Sequence, residues 1–264
     1  MLNDSQYSSS EKYEARIYLS KMFKTNPKSK FEWIFDHFPK QKNCNILELG
    51  CGTGLFWLVN RNHIVKSWSI VLSDYSEGML ETARKNLSRL NFDFKYEIVN
   101  AEDIKYADQT FDIILANNML YHVQNRDTAI HNISRILKDT GVFIASTMGR
   151  NDLWELHHHL YTFLSSKGNH FRFREYPFSL DNGMEQLNRH FKNVVLERYD
   201  NKLVINKADA IVNFYLSFNE IYDNVIVLPE ESSNDFRIYL QNILENEKAI
   251  TTVKDEGIFI CKKV

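Results

Sequence analysis

Asn45-Ile46-Leu47-Glu48-Leu49-Gly50-Cys51-Gly52-Thr53-Gly54 begins apolar, reaches an acid, and runs into three alternate glycines; a helical pattern starts at Leu55. A short apolar run turning at once into a helix is the pattern of a buried parallel strand and its crossover. Glycine accepts positive φ and has no Cβ, so the turn offers bare backbone at the strand's carboxyl end. A nucleoside-like ligand can lie against such a surface. The glycines at 50, 52 and 54 are spaced G-x-G-x-G. A dinucleotide site uses G-x-G-x-x-G, with a pyrophosphate on the helix N-terminus.

Outward from this turn, Ser69-Ile70-Val71-Leu72-Ser73 is a second apolar strand, and it ends at Asp74, 20 residues beyond Gly54. A Rossmann-like unit places its ribose-binding acid at about that distance. Both carboxylate oxygens can accept at once, so an Asp there can hold a vicinal diol. Asp74 or Ser76 can also cap the helix that begins at Glu77; the roles divide if Ser76 caps and Asp74 faces the ligand. A third strand ends at Asn100, and the polar turn Asn100-Ala101-Glu102-Asp103 reads by itself as a loop with a local Asx turn. A fourth runs from Phe111 to Ala116 and breaks at Asn117-Asn118. Gly141 is expected to supply a positive φ between the next helix and a fifth strand.

From Asn45 to Thr147 these segments, in this order, resemble the class I S-adenosylmethionine-dependent methyltransferase family, most closely its small-molecule, type 11-like branch. The resemblance rests on the first motif at Glu48–Gly54 and on D-x-S-x-x-M-L at Asp74–Leu80. It also rests on F-D-x-I-x-x-N followed by L-x-H-V at Phe111–Val123, and on R-x-L-K-x-x-G at Arg135–Gly141. It implies S-adenosylmethionine as cofactor and S-adenosylhomocysteine as product. Glu48, Gly50, Cys51 and Gly52 would lie beside the methionine part, where an acid and exposed amides suit a zwitterion. Asp74 would take the ribose, Tyr75 and Met79 would flank the adenine, and Asn100, Ala101 and Glu102 would read its edge. Asn117 would close the site from the fourth motif.

The fold so implied is α/β and doubly wound: a mostly parallel seven-stranded sheet with one antiparallel strand, the Rossmann-like methyltransferase fold, plus a helical cap. Residues 1–264 read as a single methyltransferase domain. Within it, 1–40 form an N-terminal helical lid, 45–147 the cofactor-binding core, and 148–193 a substrate-cap insertion. The lid helices could equally cover a sheet edge. In the first, Tyr13, Ile17, Tyr18 and Met22 are expected on one apolar face.

Methyl transfer demands few protein groups, because the cofactor carries the reactive carbon and the protein supplies alignment. A base is required only when an oxygen, nitrogen or carbon acceptor must lose a proton. His122, just past the fourth strand, is the candidate, with Tyr121 beside it as an orienting group; the same pair can instead be packing residues beneath the sheet edge. Asn117-Asn118-Met119-Leu120 lacks the N-P-P-[YF] grip used on planar amines, which favours a small-molecule acceptor over a nucleic-acid or protein side chain. A cofactor-binding module without turnover is a second alternative. A nicotinamide oxidoreductase is a third, disfavoured by the glycine spacing.

Composition sets limits. The chain has 264 residues, with 32 basic and 34 acidic side chains and no long basic block, so a nucleic-acid partner is not expected. Cys44, Cys51 and Cys261 are too scattered for a disulfide framework or a metal site. No apolar stretch reaches the roughly 18 residues of a membrane span, and Met1–Ser5 lacks a signal-peptide pattern. A cytoplasmic monomer or homodimer acting on a small molecule, away from membranes, is the expectation. His157, His158 and His159 are consecutive, so on a helix they diverge by about 100° each and cannot share a metal. The aromatic and basic stretch Phe171–Tyr176 could be a strand alternating Phe inward and Arg outward, or could supply cations and rings to an aromatic or anionic substrate. Asp200-Asn201 is expected to turn a hairpin into Lys202–Ile205, and Gly257–Cys261 to be the last, antiparallel strand.

Overall fold

A computed structural model describes residues 10–168, 176–218 and 227–263. The elements run α1 (Ser10–Phe23), α2 (Lys30–Asp36), β1 (Asn45–Leu49), α3 (Leu55–Val59), β2 (Ser69–Asp74), α4 (Glu77–Leu87), β3 (Lys95–Ile98) and β4 (Phe111–Asn117). There follow α5 (Arg126–Ile136), β5 (Leu137–Met148), α6 (Trp154–Ser166), α7 (Gly183–Asn188), β6 (Asn193–Tyr199) and β7 (Lys202–Ile205). The last are α8 (Ala208–Leu216), α9 (Ser233–Glu247), β8 (Ile250–Val253) and β9 (Glu256–Lys262). The chain divides into two units. One comprises Lys28–Gly149, Pro177–Tyr199 and Glu256–Val264; the other comprises Met1–Pro27, Arg150–Tyr176 and Asp200–Asp255. Residues 148–193 are therefore shared between them.

The first unit is built on a seven-stranded sheet of order β3-β2-β1-β4-β5-β9-β6. Neighbouring strands from β3 to β5 are parallel, and β9 runs antiparallel to both β5 and β6. This is the expected doubly wound, mostly parallel sheet with one reversed strand. Alternation along each strand sends side chains to opposite faces. Ile46, Ile70, Leu72, Ile113, Leu115, Ile144 and Ile258 pack with Ile34, Phe56, Trp57, Leu80 and Ala83 of α2, α3 and α4. Leu47, Val71, Ile114, Phe143, Ala145 and Phe259 pack with Ile130, Ile133 and Leu187 of α5 and α7. Both faces are covered, which is why the central strands read as continuous apolar runs. Helix α2 starts on a capping box: Ser29 accepts from the Glu32 N–H, and the Glu32 carboxylate accepts from the Ser29 N–H at 2.8 Å. Ile34 of this helix joins the core beside Phe56 of α3.

Gly141 corrects the expectation of a positive φ. It lies inside β5 and is absent from the left-handed glycines. Across β4 and β5 the register jumps from Phe111–Leu137 to Ile113–Val142, leaving an irregular stretch. A Cβ at Gly141 would sit 2.8 Å from Leu137 Cδ1 and 3.0 Å from the Asp112 carbonyl oxygen, so a side chain there would force its neighbours to shift.

The second unit has its own core of Leu156, Leu160, Leu164, Leu203, Ile211, Tyr215, Phe236, Leu240 and Ile250. It contains α1, α6, α8, α9 and the antiparallel pair β7–β8. The hairpin expected at Asp200-Asn201 does not form: β6 pairs with β9 and β7 with β8. Asn201 is buried, and its Oδ1 accepts the N–H groups of Thr25 at 3.2 Å and Asn26 at 3.1 Å. That side chain anchors a crossing of the chain and cannot sit at an open turn. In α1 the inward residue is Leu19, while Tyr18 and Met22 are exposed; apolar residues occur on several sides of this helix, and packing on α8 and β7 selects among them. The stretch beginning at Phe171 lies, through Glu175, outside the described residues. No helix among the described residues is long and apolar enough to cross a membrane.

Candidate cofactor and active site

The three loop glycines adopt left-handed backbone, with φ of 68° at Gly50, 53° at Gly52 and 74° at Gly54. Their surroundings differ. A Cβ at Gly50 would lie 2.8 Å from Met119 Cβ, and one at Gly54 would lie 2.9 Å from Leu87 Cδ1. A Cβ at Gly52 would meet nothing within 4 Å. Gly50 and Gly54 thus seat the loop against the fourth-strand tip and α4, whereas Gly52 opens onto free space. Cys51 is buried and donates its N–H to the Ser73 carbonyl at 2.9 Å. Burial pushes its thiol well above the ordinary range, with Glu48 and Asp74 adding to the effect, so it stays protonated and is no thiolate nucleophile.

Asp74 ends β2 beside this loop. Its Oδ2 accepts the Gly52 N–H at 2.9 Å and its Oδ1 accepts the Ser76 N–H at 3.0 Å. Ser76 caps α4, its Oγ accepting the Met79 N–H at 3.4 Å, so the two roles divide between these residues. A carboxylate has about four acceptor positions, so each Asp74 oxygen retains capacity for a hydroxyl. Tyr75 is 63% exposed beside it, and Met79 is half-buried on the first turn of α4.

Glu48 is buried, with 1% of its surface exposed. Its Oε2 accepts the Trp57 Nε1–H at 2.6 Å, and its Oε1 accepts from Asn117 Nδ2 at 2.9 Å. Asn117 Oδ1 accepts from the buried Ser146 hydroxyl at 3.2 Å, and Ser146 Oγ accepts the Asn118 N–H at 3.1 Å. Asn118 holds a left-handed φ of 49°. The chain Trp57–Glu48–Asn117–Ser146 therefore joins α3, β1, β4 and β5 behind the glycine loop. Burial pushes the Glu48 carboxyl up to about 7; the Asn117 and Trp57 hydrogen bonds oppose this, and nearby Asp74 adds to it. Among the described residues Glu48 has no ion-pair partner.

After β3, Asn100 forms the Asx turn that its type allows, its Oδ1 accepting the Glu102 N–H at 2.9 Å. Ala101 is buried. The Glu102 carboxylate turns toward the loop after β4, where its Oε1 accepts the N–H groups of Gln124 at 3.1 Å and Asn125 at 3.2 Å. That loop holds a single 3₁₀ turn, Leu120–His122. His122 is half-buried with its ring 4.4 Å from that of Tyr121, and Tyr121 packs against the core of the α5 face.

Glu48, Gly50, Gly52, Asp74 and Asn117 are thus brought together at the carboxyl ends of β1, β2 and β4. Asn100, Ala101 and Glu102 lie at the end of β3, the strand next to β2, and His122 follows β4. Trp57 and Ser146 were not singled out from the sequence. A tryptophan indole N–H nine residues from a buried acid is a readable signal, because it demands an acceptor when buried; Ser146 gives none. Among the described residues, no group of His, Cys, Asp and Glu could hold a metal ion. The triple histidine divides as expected. His157 is half-buried, its Nδ1 3.0 Å from the Tyr215 hydroxyl, and desolvation lowers it to about 4, with Lys254 adding to the effect. His158 lies against Trp154, and His159 Nδ1 is 3.4 Å from the Tyr239 hydroxyl.

Residues 40–175, just over half of the chain, match the profile of a family described as a methyltransferase domain. Over 98 residues the chain is 34% identical to the ubiquinone/menaquinone biosynthesis C-methyltransferase UbiE of Hydrogenovibrio crunogenus, covering 36% of this chain and 39% of that protein. Over 119 residues it is 32% identical to the non-reducing polyketide synthase adrD of Penicillium rubens, covering 43% of this chain and 5% of the synthase. The chain spans well under half the length of both of these relatives. Among solved structures, the YcgJ protein from Bacillus subtilis shares the fold, with a TM-score of 0.58 over 89% of this chain and 98% of that one at 14% identity. By the profile match across its glycine loop and strand tips, the chain belongs to the methyltransferase domain family.

Proposed function

We propose that this protein binds S-adenosylmethionine at the tips of β1 to β4 and transfers its methyl group to a nucleophilic atom of a small molecule. The observation that carries the reading is the pairing of Gly52 with Asp74. The one loop glycine whose missing side chain faces open space donates its amide to the acid that would hold the ribose. A cradle that a Cβ would fill, beside an acid with spare acceptor positions, fits a nucleoside lying on bare backbone. When bound, the cofactor supplies an electrophilic methyl carbon and leaves as S-adenosylhomocysteine.

The protein's own residues then bind and orient. Gly50, Cys51 and Gly52 would line the amino acid tail, with Glu48 and Asn117 behind them. Asp74 would take the ribose diol, Tyr75 and Met79 would cover the adenine, and the Asn100–Ala101 turn would meet its edge. His122 would take the proton from an acceptor that must lose one. A carbon acceptor is favoured among O, N and C by the 34% identity to a protein named a C-methyltransferase. Residues 148–193 would carry the substrate cap.

Calorimetric titration with S-adenosylmethionine and NAD tests the assignment. Heat with S-adenosylmethionine and none with NAD is expected. The Asp74→Ala variant should bind more weakly by about 1.5 to 3 kcal/mol, the range for hydrogen bonds to a charged group. Tight NAD binding without S-adenosylmethionine heat would end the reading, and unchanged affinity in the variant would remove the ribose role. Screening metabolite pools by mass spectrometry for a methylated product then identifies the acceptor.

A further inference from the structure

Two separate segments, one after β3 and one after β4, carry the two sides of the proposed site: the turn Asn100–Asp103 on the adenine side and the loop 119–125 with His122 on the acceptor side. One side chain ties them together. Glu102 Oε1 accepts both the Gln124 N–H at 3.1 Å and the Asn125 N–H at 3.2 Å. Glu102 is itself held from two directions. Its N–H donates to Asn100 Oδ1 at 2.9 Å, and its carbonyl accepts from Asn132 Nδ2 of α5 at 3.1 Å. Asn125 in turn caps α5, its Oδ1 accepting the Thr128 N–H at 3.1 Å. The 3₁₀ turn bearing His122 runs through Val123 straight into the two amides that Glu102 holds.

We propose that Glu102 is a positioning residue that couples occupancy of the adenine turn to the order of loop 119–125, so that cofactor binding sets His122 for the acceptor. The proposal rests on the S-adenosylmethionine reading above, and it gives Glu102 a different task from the adenine contact that the family resemblance implies. Its Oε1 accepts two main-chain amides of the loop after β4. Such charge-assisted bonds are stronger than neutral ones, and an acid just before α5 is also favoured by the helix dipole. The Asx ring joins residue 100 to residue 102 without an intervening flexible link. A ligand edge pressed on Asn100–Ala101 therefore biases the carboxylate, and through it the amides of 124 and 125. Coupling of this kind requires only that the ligand favour the arrangement in which the bonds are made. Glu102, Gln124 and Asn125 line a polar depression of about 710 Å3 that is open to solvent, so their amides can exchange once those bonds open.

Hydrogen exchange on the full chain, with and without S-adenosylhomocysteine, tests this in the wild type and in the Glu102→Ala and Glu102→Gln variants. In the wild type the ligand should slow exchange across 119–126. Glu102→Ala should keep the ligand affinity within about threefold yet lose about tenfold of that slowing, the lower end expected for bonds to a charged acceptor. Glu102→Gln should restore the slowing, because its carbonyl can accept both amides. A plain helix-capping role would speed exchange equally in the free and bound states of Glu102→Ala and leave the ligand-induced difference intact; that result overturns the proposal. Loss of affinity beyond about tenfold in both variants overturns it in favour of direct ligation. A wild-type protein that binds the ligand with no change across 119–126 refutes the coupling alone. One that does not bind S-adenosylhomocysteine removes the functional reading as well.

Discussion

Replacing Glu48 by Gln should flatten the pH dependence of stability in a defined window. The carboxyl rises from its ordinary value of 4.5 to about 7 in the folded protein, chiefly through burial. Between those values the native state keeps a proton that the unfolded chain releases, so wild-type stability falls as pH rises. The contribution is fully present below about pH 4.5, declines across the window, and is gone above about pH 7. A displacement of that size corresponds to about 3 kcal/mol, since one pKa unit is worth about 1.4 kcal/mol. The Gln variant cannot titrate, so it loses this slope whatever its constant offset. That offset should be modest if the Asn117 amide rotates: its carbonyl can then accept from the new side-chain NH2, while the Gln carbonyl keeps the Trp57 bond. Urea unfolding at intervals from pH 4 to pH 8, followed by fluorescence and circular dichroism together, measures both profiles. Parallel curves for the two proteins would show that Glu48 titrates near its ordinary value, and the burial reasoning would be wrong.

Three further predictions concern the loop and the candidate base. Gly52→Val should abolish S-adenosylmethionine heat by filling the open face of the loop, at a folding cost of about 1 to 2 kcal/mol for the left-handed backbone. Gly54→Ala should instead act on stability, lowering it by about 1 to 3 kcal/mol, because its Cβ would press on Leu87 and Ala83; full cofactor binding by the valine variant would reject the cradle. His122→Ala should reduce turnover by about 10² or more with little change in cofactor affinity, as removal of a general base does. A fully active variant would leave His122 as a packing neighbour of Tyr121.

The strand–glycine–helix unit was legible because its signals are local. Residues 45–54 name a buried strand by apolar content and a left-handed loop by the only residue type that adopts it without strain. Asp74 was legible because βαβ geometry fixes its distance from the loop, and Ser76 because a cap is read within one helical turn. Where partners are distant, the reading failed or stopped short. Asp200-Asn201 looks like a hairpin turn locally, but β7 takes β8 as its partner, 45 or more residues further along the chain. Gly141 looked like a turn glycine; the Asp112 carbonyl pressing on it comes from a neighbouring strand.

Sequence by itself therefore determined the fold class, the order of strands and crossovers through β5, and the loop that would receive a nucleoside. These follow from backbone preferences and periodicity within some ten residues. Tertiary structure alone decided what the acids do. Glu48 is an acid at a strand end in the sequence; in the fold, Trp57 and Asn117 close over it, 9 and 69 residues away, and its proton affinity rises. Glu102 turns from the adenine side to the amides of 124 and 125 for the same reason. A carboxylate's role depends on which donors reach it and how much water remains, and both are set only when distant segments pack.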